Sequence, residues 1–342
     1  MDGWIRITEM LTTRDFSTEF SLLLTLVLSL VAVVGVFGNG LVILVIAQSK
    51  RLRSALNTFL LNLAIADLVV SFLCIPLTMI INFSPELVSS AALCKAARFF
   101  QYLAPESSMI LLIVIAYCKH RTFVHPFSSL DKVSYHLIAC AWVYSVSCVS
   151  PSLYFSHLES YTDEANATVK FCSTIQGTTT PSFIYILLLG SFGFVLPIIA
   201  LCILNIRIYR IFRQKSRVGH ETSNPALIRY DSVKRKVLKL FIIVITVFLV
   251  SWTPFVVYTV AMATRVSSAK QTQLSLYAFG LSHSVCNPMI YCFYNNNFRK
   301  GCRDVFHTSR RLLSAKKRAR EANLAARRDK DDRSKVTALG MD

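Results

Sequence analysis

The stretch CKAARFFQYLAPESSMILLIVIAYCKHRTFVHP, residues 94–126, decides how the rest of the chain is read. It opens on a cysteine, runs through an apolar body and closes on Lys119, His120 and Arg121. That profile describes a helix crossing a membrane with its basic end on the inner side. Gln101 and Glu106 lie in its outer half, where polar groups are costly unless they face a protein interior or water. Pro105 stands beside Glu106 and predicts a local irregularity there. A helix of this kind belongs in the middle of a bundle.

The composition agrees. Of 342 residues 54% are hydrophobic and only 16% charged, with mean hydropathy +0.49. Soluble domains carry about 25% charged residues. The net charge of +18 raises the question of nucleic acid. The basic residues, however, sit in alternate loops and in the tail, which is the distribution of a membrane protein with positive inner loops. Nucleic acid is therefore not expected as a partner. The ten cysteines form no CxxC pair and no metal-ligand spacing, so no metal site is predicted and most are packing residues. The acidic, polar N-terminus and the long first apolar run argue against a cleavable signal.

Working outward from residues 94–126, seven apolar spans emerge: 20–48, 56–81, 94–126, 134–155, 181–212, 237–264 and 271–294. The expected fold is an all-α membrane protein, a seven-helix bundle. Residues 1–19 form an extracellular leader and residues 20–307 the transmembrane domain, with residues 308–342 a basic cytoplasmic tail. Pro76 predicts a kink in the second span. After the seventh span, FRKGCRDVFHTSRRLL (298–313) alternates basic and apolar residues at helical spacing and predicts a short amphipathic helix on the membrane surface. Residues 213–236 are polar and basic and are expected as an inner loop, meeting anionic lipid together with the tail.

Several constellations carry candidate chemistry. Cys94 and Cys172 are the only cysteines this topology places outside, where a disulfide is expected to fold the loop 156–180 over the bundle mouth. That loop also holds the glycosylation sequon Asn166-Ala167-Thr168. Asn39, Asp67, Ser108, Ser284 and Asn287 fall at mid-depth on four spans. They read equally as a small-cation pocket and as a hydrogen-bonded packing cluster. Phe248, Trp252 and Pro254 suit a hinge, or simple packing. Gln101 and Glu106 suit a ligand's polar group, or satisfaction by a neighbouring helix. Cys302 is a candidate lipidation site or a buried thiol. No nucleophile elbow, HExxH or Walker A loop is present, so no enzyme is predicted. A transporter would show repeat symmetry and broken helices in matching halves, and the sequence shows neither.

These residues resemble the rhodopsin-like (class A) G-protein-coupled receptors. The resemblance rests on Gly38-Asn39, LNLAIADL (61–68), Cys94 with Cys172, Trp142, Pro197, SWTP (251–254), and Asn287-Pro288-x-x-Tyr291 leading into Asn297-Phe298-Arg299. The motifs cover residues 20–307 in order, and RFFQYLAP (98–105) and YNNNFRKG (294–301) point to the neuropeptide-type branch. The family implies a sodium ion as allosteric modulator, held by Asp67, Ser108 and Asn287, although His283 stands where an asparagine is usual. It implies a switch built from Met109, Pro197, Phe248, Trp252, Pro254 and Tyr291. It implies a ligand near Gln101, Tyr102, Glu106, Trp252 and Tyr258. Gln101 stands where amine receptors carry aspartate, which points to a peptide, and the acidic outer loop suits a basic or amphipathic one.

The inner end departs from the family pattern. Its Asp-Arg-Tyr falls on Cys118-Lys119-His120, so the restraining acid is gone and lysine lacks the planar fork of arginine. Asn205 replaces a tyrosine, and Lys234 stands where an acid is common. Lys119, His120 and Asn205 are the expected contacts for a heterotrimeric G protein. The same departure supports an atypical receptor that recruits arrestin or traps ligand as a decoy.

Overall fold

The computed structural model describes residues 16–49, 55–88, 90–124, 131–162, 168–173, 180–218, 225–262, 270–294 and 298–305, with isolated positions from 307 to 321. Seven helical crossings follow one another. α1 is Thr18–Gln48. α2 runs Ala55–Val69, Val70–Cys74 and Ile75–Phe83. α3 is Ala91–Val124. α4 is Asp131–Val149, followed by the short helix Ser152–Phe155. α5 runs Thr180–Gly190, Ser191–Val195 and Leu196–Val218. α6 is Pro225–Met262, and α7 is Lys270–Leu281 plus His283–Tyr294. Six of the described helices are long and apolar enough to cross a membrane. The seventh crossing falls short in each half because the chain turns at Ser282.

α3 is the axis of the bundle, as the sequence predicts. Two thirds (67%) of its apolar window is buried, against 11% for α1, and it packs on α2, α4, α5 and α6. α1 leaves Leu22, Leu26, Leu30 and Phe37 exposed along one face. That apolar stripe suits lipid rather than water. α6 begins at Pro225, inside the stretch expected as a loop. Residues 226–236 contain no glycine or proline and are rich in Arg and Lys, so helix propensity extends the crossing inward. Pro225 itself suits a first helical position, where its missing N–H is not needed. Residues 298–305 are helical, where the surface helix was predicted.

Prolines shape the crossings in a consistent way. A proline has no N–H and crowds the carbonyl four residues before it. Pro76 and Pro197 each follow a π-helical turn, Val70–Cys74 and Ser191–Val195, which takes up that crowding with one wider turn. Pro105, against expectation, does not interrupt α3. The carbonyl it releases, that of Gln101, accepts the Tyr277 hydroxyl at 2.9 Å. Pro288 likewise releases the Ser284 carbonyl, which accepts Asn39 Nδ2 at 3.0 Å. Within the α5 π-turn the Phe192 carbonyl accepts Tyr144 Oη at 3.0 Å. Side chains on other helices thus satisfy the backbone groups these irregularities free, as a lipid-embedded bundle requires.

The outer loop forms an antiparallel hairpin, β1 His157–Thr162 and β2 Thr168–Ser173, pairing Leu158 with Cys172. The expected Cys94–Cys172 disulfide is present and pins β2 to the outer end of α3. Asn166 lies outside the described residues.

Candidate functional site at the bundle interior

The mouth is built on α3. Gln101 is 4% exposed and fully engaged. Its Nε2 donates to Thr78 Oγ1 at 3.0 Å, and its Oε1 accepts Arg98 at 3.0 Å. Arg98 also donates to the carbonyl of Cys172 at 2.7 Å. Sequence reading missed Thr78, Arg98 and Tyr277. The proline four residues after Gln101 is the signal that its carbonyl needs an outside donor.

Two of the expected ligand contacts stand apart from Gln101 and Trp252. Glu106 is five residues past Gln101, a rotation of about 140° around a helix, so the two cannot share a face. Glu106 is fully buried between α3 and α5. A Cβ placed on Gly193 would lie 3.3 Å from its Oε2, so the glycine makes the room the carboxyl occupies. No nitrogen or oxygen donor reaches either carboxyl oxygen, and the Cys148 thiol on α4 is its polar neighbour. Tyr258 lies six residues past Trp252, a net rotation of about 240°. It lines an open groove with Val250, Val257 and Leu276 on the outer side of α6 and α7. Tyr102 is half-buried against Leu103, Val149, Tyr185 and Leu189. On the hairpin, burial raises the Glu159 carboxyl above the ordinary carboxylate range, with His157 acting against it.

Below the mouth lies Trp252, fully buried. Its ring meets those of Phe194, Tyr277, Phe255, His283 and Phe248 at centroid distances of 5.8, 5.8, 5.9, 6.0 and 6.3 Å. Its Nε1 donates to His283 Nδ1 at 3.1 Å. Gly280 allows this seat, since a Cβ there would lie 2.9 Å from Trp252 Cε3. Gly280→Ala is therefore expected to cost about 1–3 kcal/mol through overpacking, read as a lower thermal midpoint of the purified protein. Gly40→Ala is the control: nothing lies within 4 Å of its Cβ, and that change is neutral or stabilising.

His283 Nε2 in turn stands 3.4 Å from Asp67 Oδ1. Ser108 Oγ donates to the same oxygen at 3.0 Å, and Asn287 Nδ2 donates to Oδ2 at 2.6 Å. Asp67, Ser108 and Asn287 thus come together as predicted, from α2, α3 and α7. Asn39 and Ser71 extend the cluster, Ser71 Oγ donating to the Asp67 carbonyl at 2.8 Å and standing 3.4 Å from Ser284 Oγ. This donor set suits a carboxylate satisfied by the protein better than a sodium cage. Both oxygens already accept hydrogen bonds, and an imidazole edge faces the carboxylate where a hard cation favours oxygen ligands.

Met109 and Phe248 share the central core, and Pro197 is buried on α5. Pro254 sits inside an unbroken α6. At the inner end Lys119 Nζ lies 5.0 Å from the centroid of Phe241 on α6. Asn205 Nδ2 donates to Thr246 Oγ1 at 3.1 Å, a second link to α6. Tyr291 is 1% exposed, with its ring 6.3 Å from that of Phe298. His120 is half-buried, and Cys302 packs half-buried against the core. The side chain of Lys234 lies outside the described residues.

Comparison with known proteins agrees with this architecture. Residues 38–291 match the model of the 7 transmembrane receptor (rhodopsin family). The chain is 27% identical to the pyroglutamylated RF-amide peptide receptor of Rattus norvegicus, over 80% of this chain and 67% of that one. It is 30% identical to neuropeptide Y receptor type 2 of Cavia porcellus, over 86% and 79%. It is also 30% identical to the probable G-protein coupled receptor 19 of Homo sapiens, over 79% and 64%. The crystal structure of squid rhodopsin superposes with TM-score 0.71 at 19% identity, covering 86% of this chain and 87% of that one.

Proposed function

The chain belongs to the rhodopsin family of seven-transmembrane receptors, and on that premise we propose that it senses an extracellular peptide at the plasma membrane and signals to heterotrimeric G proteins. It is a receptor and not an enzyme. The N-terminus and hairpin face outside and the tail faces the cytoplasm. Similarity to receptors named for RF-amide peptide and neuropeptide Y supports a peptide ligand.

One observation carries the reading. The mouth and the core form a continuous chain of contacts: Gln101 carbonyl, Tyr277, Trp252, His283, Asp67. A ligand that moves Tyr277 also disturbs the seat of Trp252 and the Asp67 network tying α2, α3 and α7 together. Binding then favours an outward swing of α6 about Pro254, opening a crevice lined by Lys119, His120, Asn205 and Tyr291. The ligand acts by binding the open state more tightly than the closed one. Asn166 would carry glycan outside, and Cys302 would take a lipid inside. The basic tail would meet anionic lipid and arrestin.

The second reading is an arrestin-recruiting or decoy receptor. Its support is Lys119 itself, which rests on an aromatic ring in place of an arginine fork. G-protein subunit dissociation in cells, measured across subtypes with peptide pools, separates the two. Coupling by the native chain supports the first reading. Lys119→Arg is expected to raise stimulated coupling about tenfold, because the planar fork makes charge-assisted contacts that an ammonium cannot. No change at equal surface expression contradicts that role. Silence in the native chain with rescue by arginine favours the second reading.

A further inference from the structure

Arg98, at the mouth, has bonding that is unfinished. It is half-buried beside β2. One terminal nitrogen donates to Gln101 Oε1 and the other to the Cys172 carbonyl. Its Nε is buried with no acceptor. Both partners are neutral. A guanidinium carries five N–H donors, always charged, in a fork that matches a carboxylate. Holding such a charge partly out of water against neutral acceptors is costly unless an anion completes it.

The surroundings aim this fork. Thr78 on α2 fixes the Gln101 amide, so that its oxygen faces Arg98. The disulfide fixes β2, and with it the Cys172 carbonyl. Residue 101 is therefore a positioning residue. A carboxylate at 101 would neutralise Arg98 within the protein and leave nothing for a ligand. Glutamine points the fork without quenching it.

We infer that Arg98 is the anchor for a carboxylate group on the ligand. The inference rests on the peptide-receptor reading and refines it. The acidic outer loop invites basic residues of a peptide, while the mouth beneath it takes an acid, either the chain terminus or an Asp or Glu side chain.

The test uses the purified full-length receptor and a simple probe pair, hydrocinnamate and hydrocinnamamide, at millimolar concentration. Hydrocinnamate is expected to raise the thermal midpoint saturably, and the neutral amide is not. Arg98→Gln should weaken hydrocinnamate binding about tenfold or more, and Arg98→Lys less, because it keeps the charge and loses the fork. Gln101→Glu, nearly isosteric and so compatible with folding, should abolish the stabilisation by pairing with Arg98 internally. Equal stabilisation by acid and amide, no stabilisation by the acid, or an effect that survives both Arg98→Gln and Gln101→Glu overturns the inference. Peptide pools synthesised with free and with amidated C-termini then name the source. Retention of free-acid peptides assigns the chain terminus, and retention of amidated peptides rich in Asp or Glu assigns a side chain. Retention of no peptide while hydrocinnamate binds through Arg98 removes the peptide reading alone.

Discussion

Phe241→Leu is expected to raise agonist-independent signalling. Lys119 on α3 and Phe241 on α6 meet through the ring face, at 5.0 Å from ammonium to centroid. A cation over an aromatic ring contributes about 0.5–2 kcal/mol, with the larger values where water is excluded. Phe241 is fully buried, so this contact sits toward the upper end. The family's acid–arginine restraint is absent here, and the aromatic contact is expected to take over part of its task. It holds the inner ends of α3 and α6 together. Leucine keeps most of the packing volume and removes the ring. The closed-to-open ratio then falls by about 2- to 30-fold, the Boltzmann equivalent of that energy. G-protein dissociation in the absence of ligand reads it directly. Basal activity equal to the native chain, at matched surface expression, would show that the contact restrains nothing.

Asp67→Leu is expected to produce the largest loss of stability. It removes the acceptor of Ser108 Oγ and Asn287 Nδ2 and the partner of His283, all nearly or fully buried. A buried donor left without an acceptor costs about 1–3 kcal/mol. Ser108 can fall back on the Ala104 carbonyl at 3.3 Å, so two groups are stranded, and the loss should be about 2–6 kcal/mol, seen as a large drop in the thermal midpoint of purified receptor. Asp67→Asn keeps the shape and one acceptor oxygen and should lose less. Ser108→Ala removes a donor while Asp67 keeps its other partners, and should lose least. Equal midpoints for the native chain and Asp67→Leu would mean that the network carries no load.

Much of this architecture was legible in the sequence because lipid permits so few solutions. Long apolar runs satisfy their backbone as helices, and basic residues gather in the loops on one side. The pairing of Cys94 with Cys172 followed from a topology that put no other cysteine outside, together with the oxidising compartment expected there. Asp67, Ser108 and Asn287 were legible as polar groups too deep to stand unpartnered. What the sequence left hidden were contacts set by helix rotation. Glu106 read as a ligand group because it is close to Gln101 in sequence, yet five residues turn it away toward Gly193. Tyr258 is turned away from Trp252 in the same way. The proline-freed carbonyls were visible as prolines, but which side chain arrives, Tyr277 or Asn39, depends on how the helices pack. Arg98 passed unnoticed because a lone arginine near a span end reads as a boundary charge.

The central claim is that this bundle opens at its inner end to activate a G protein. Nucleotide exchange on purified G proteins, driven by the reconstituted receptor, tests it most directly. The receptor would be compared as the native chain, Phe241→Leu and Lys119→Arg. The account predicts exchange above that of empty membranes for Phe241→Leu without any ligand, and above the native rate. No acceleration by any of the three folded receptors, on any G-protein subtype, would contradict it.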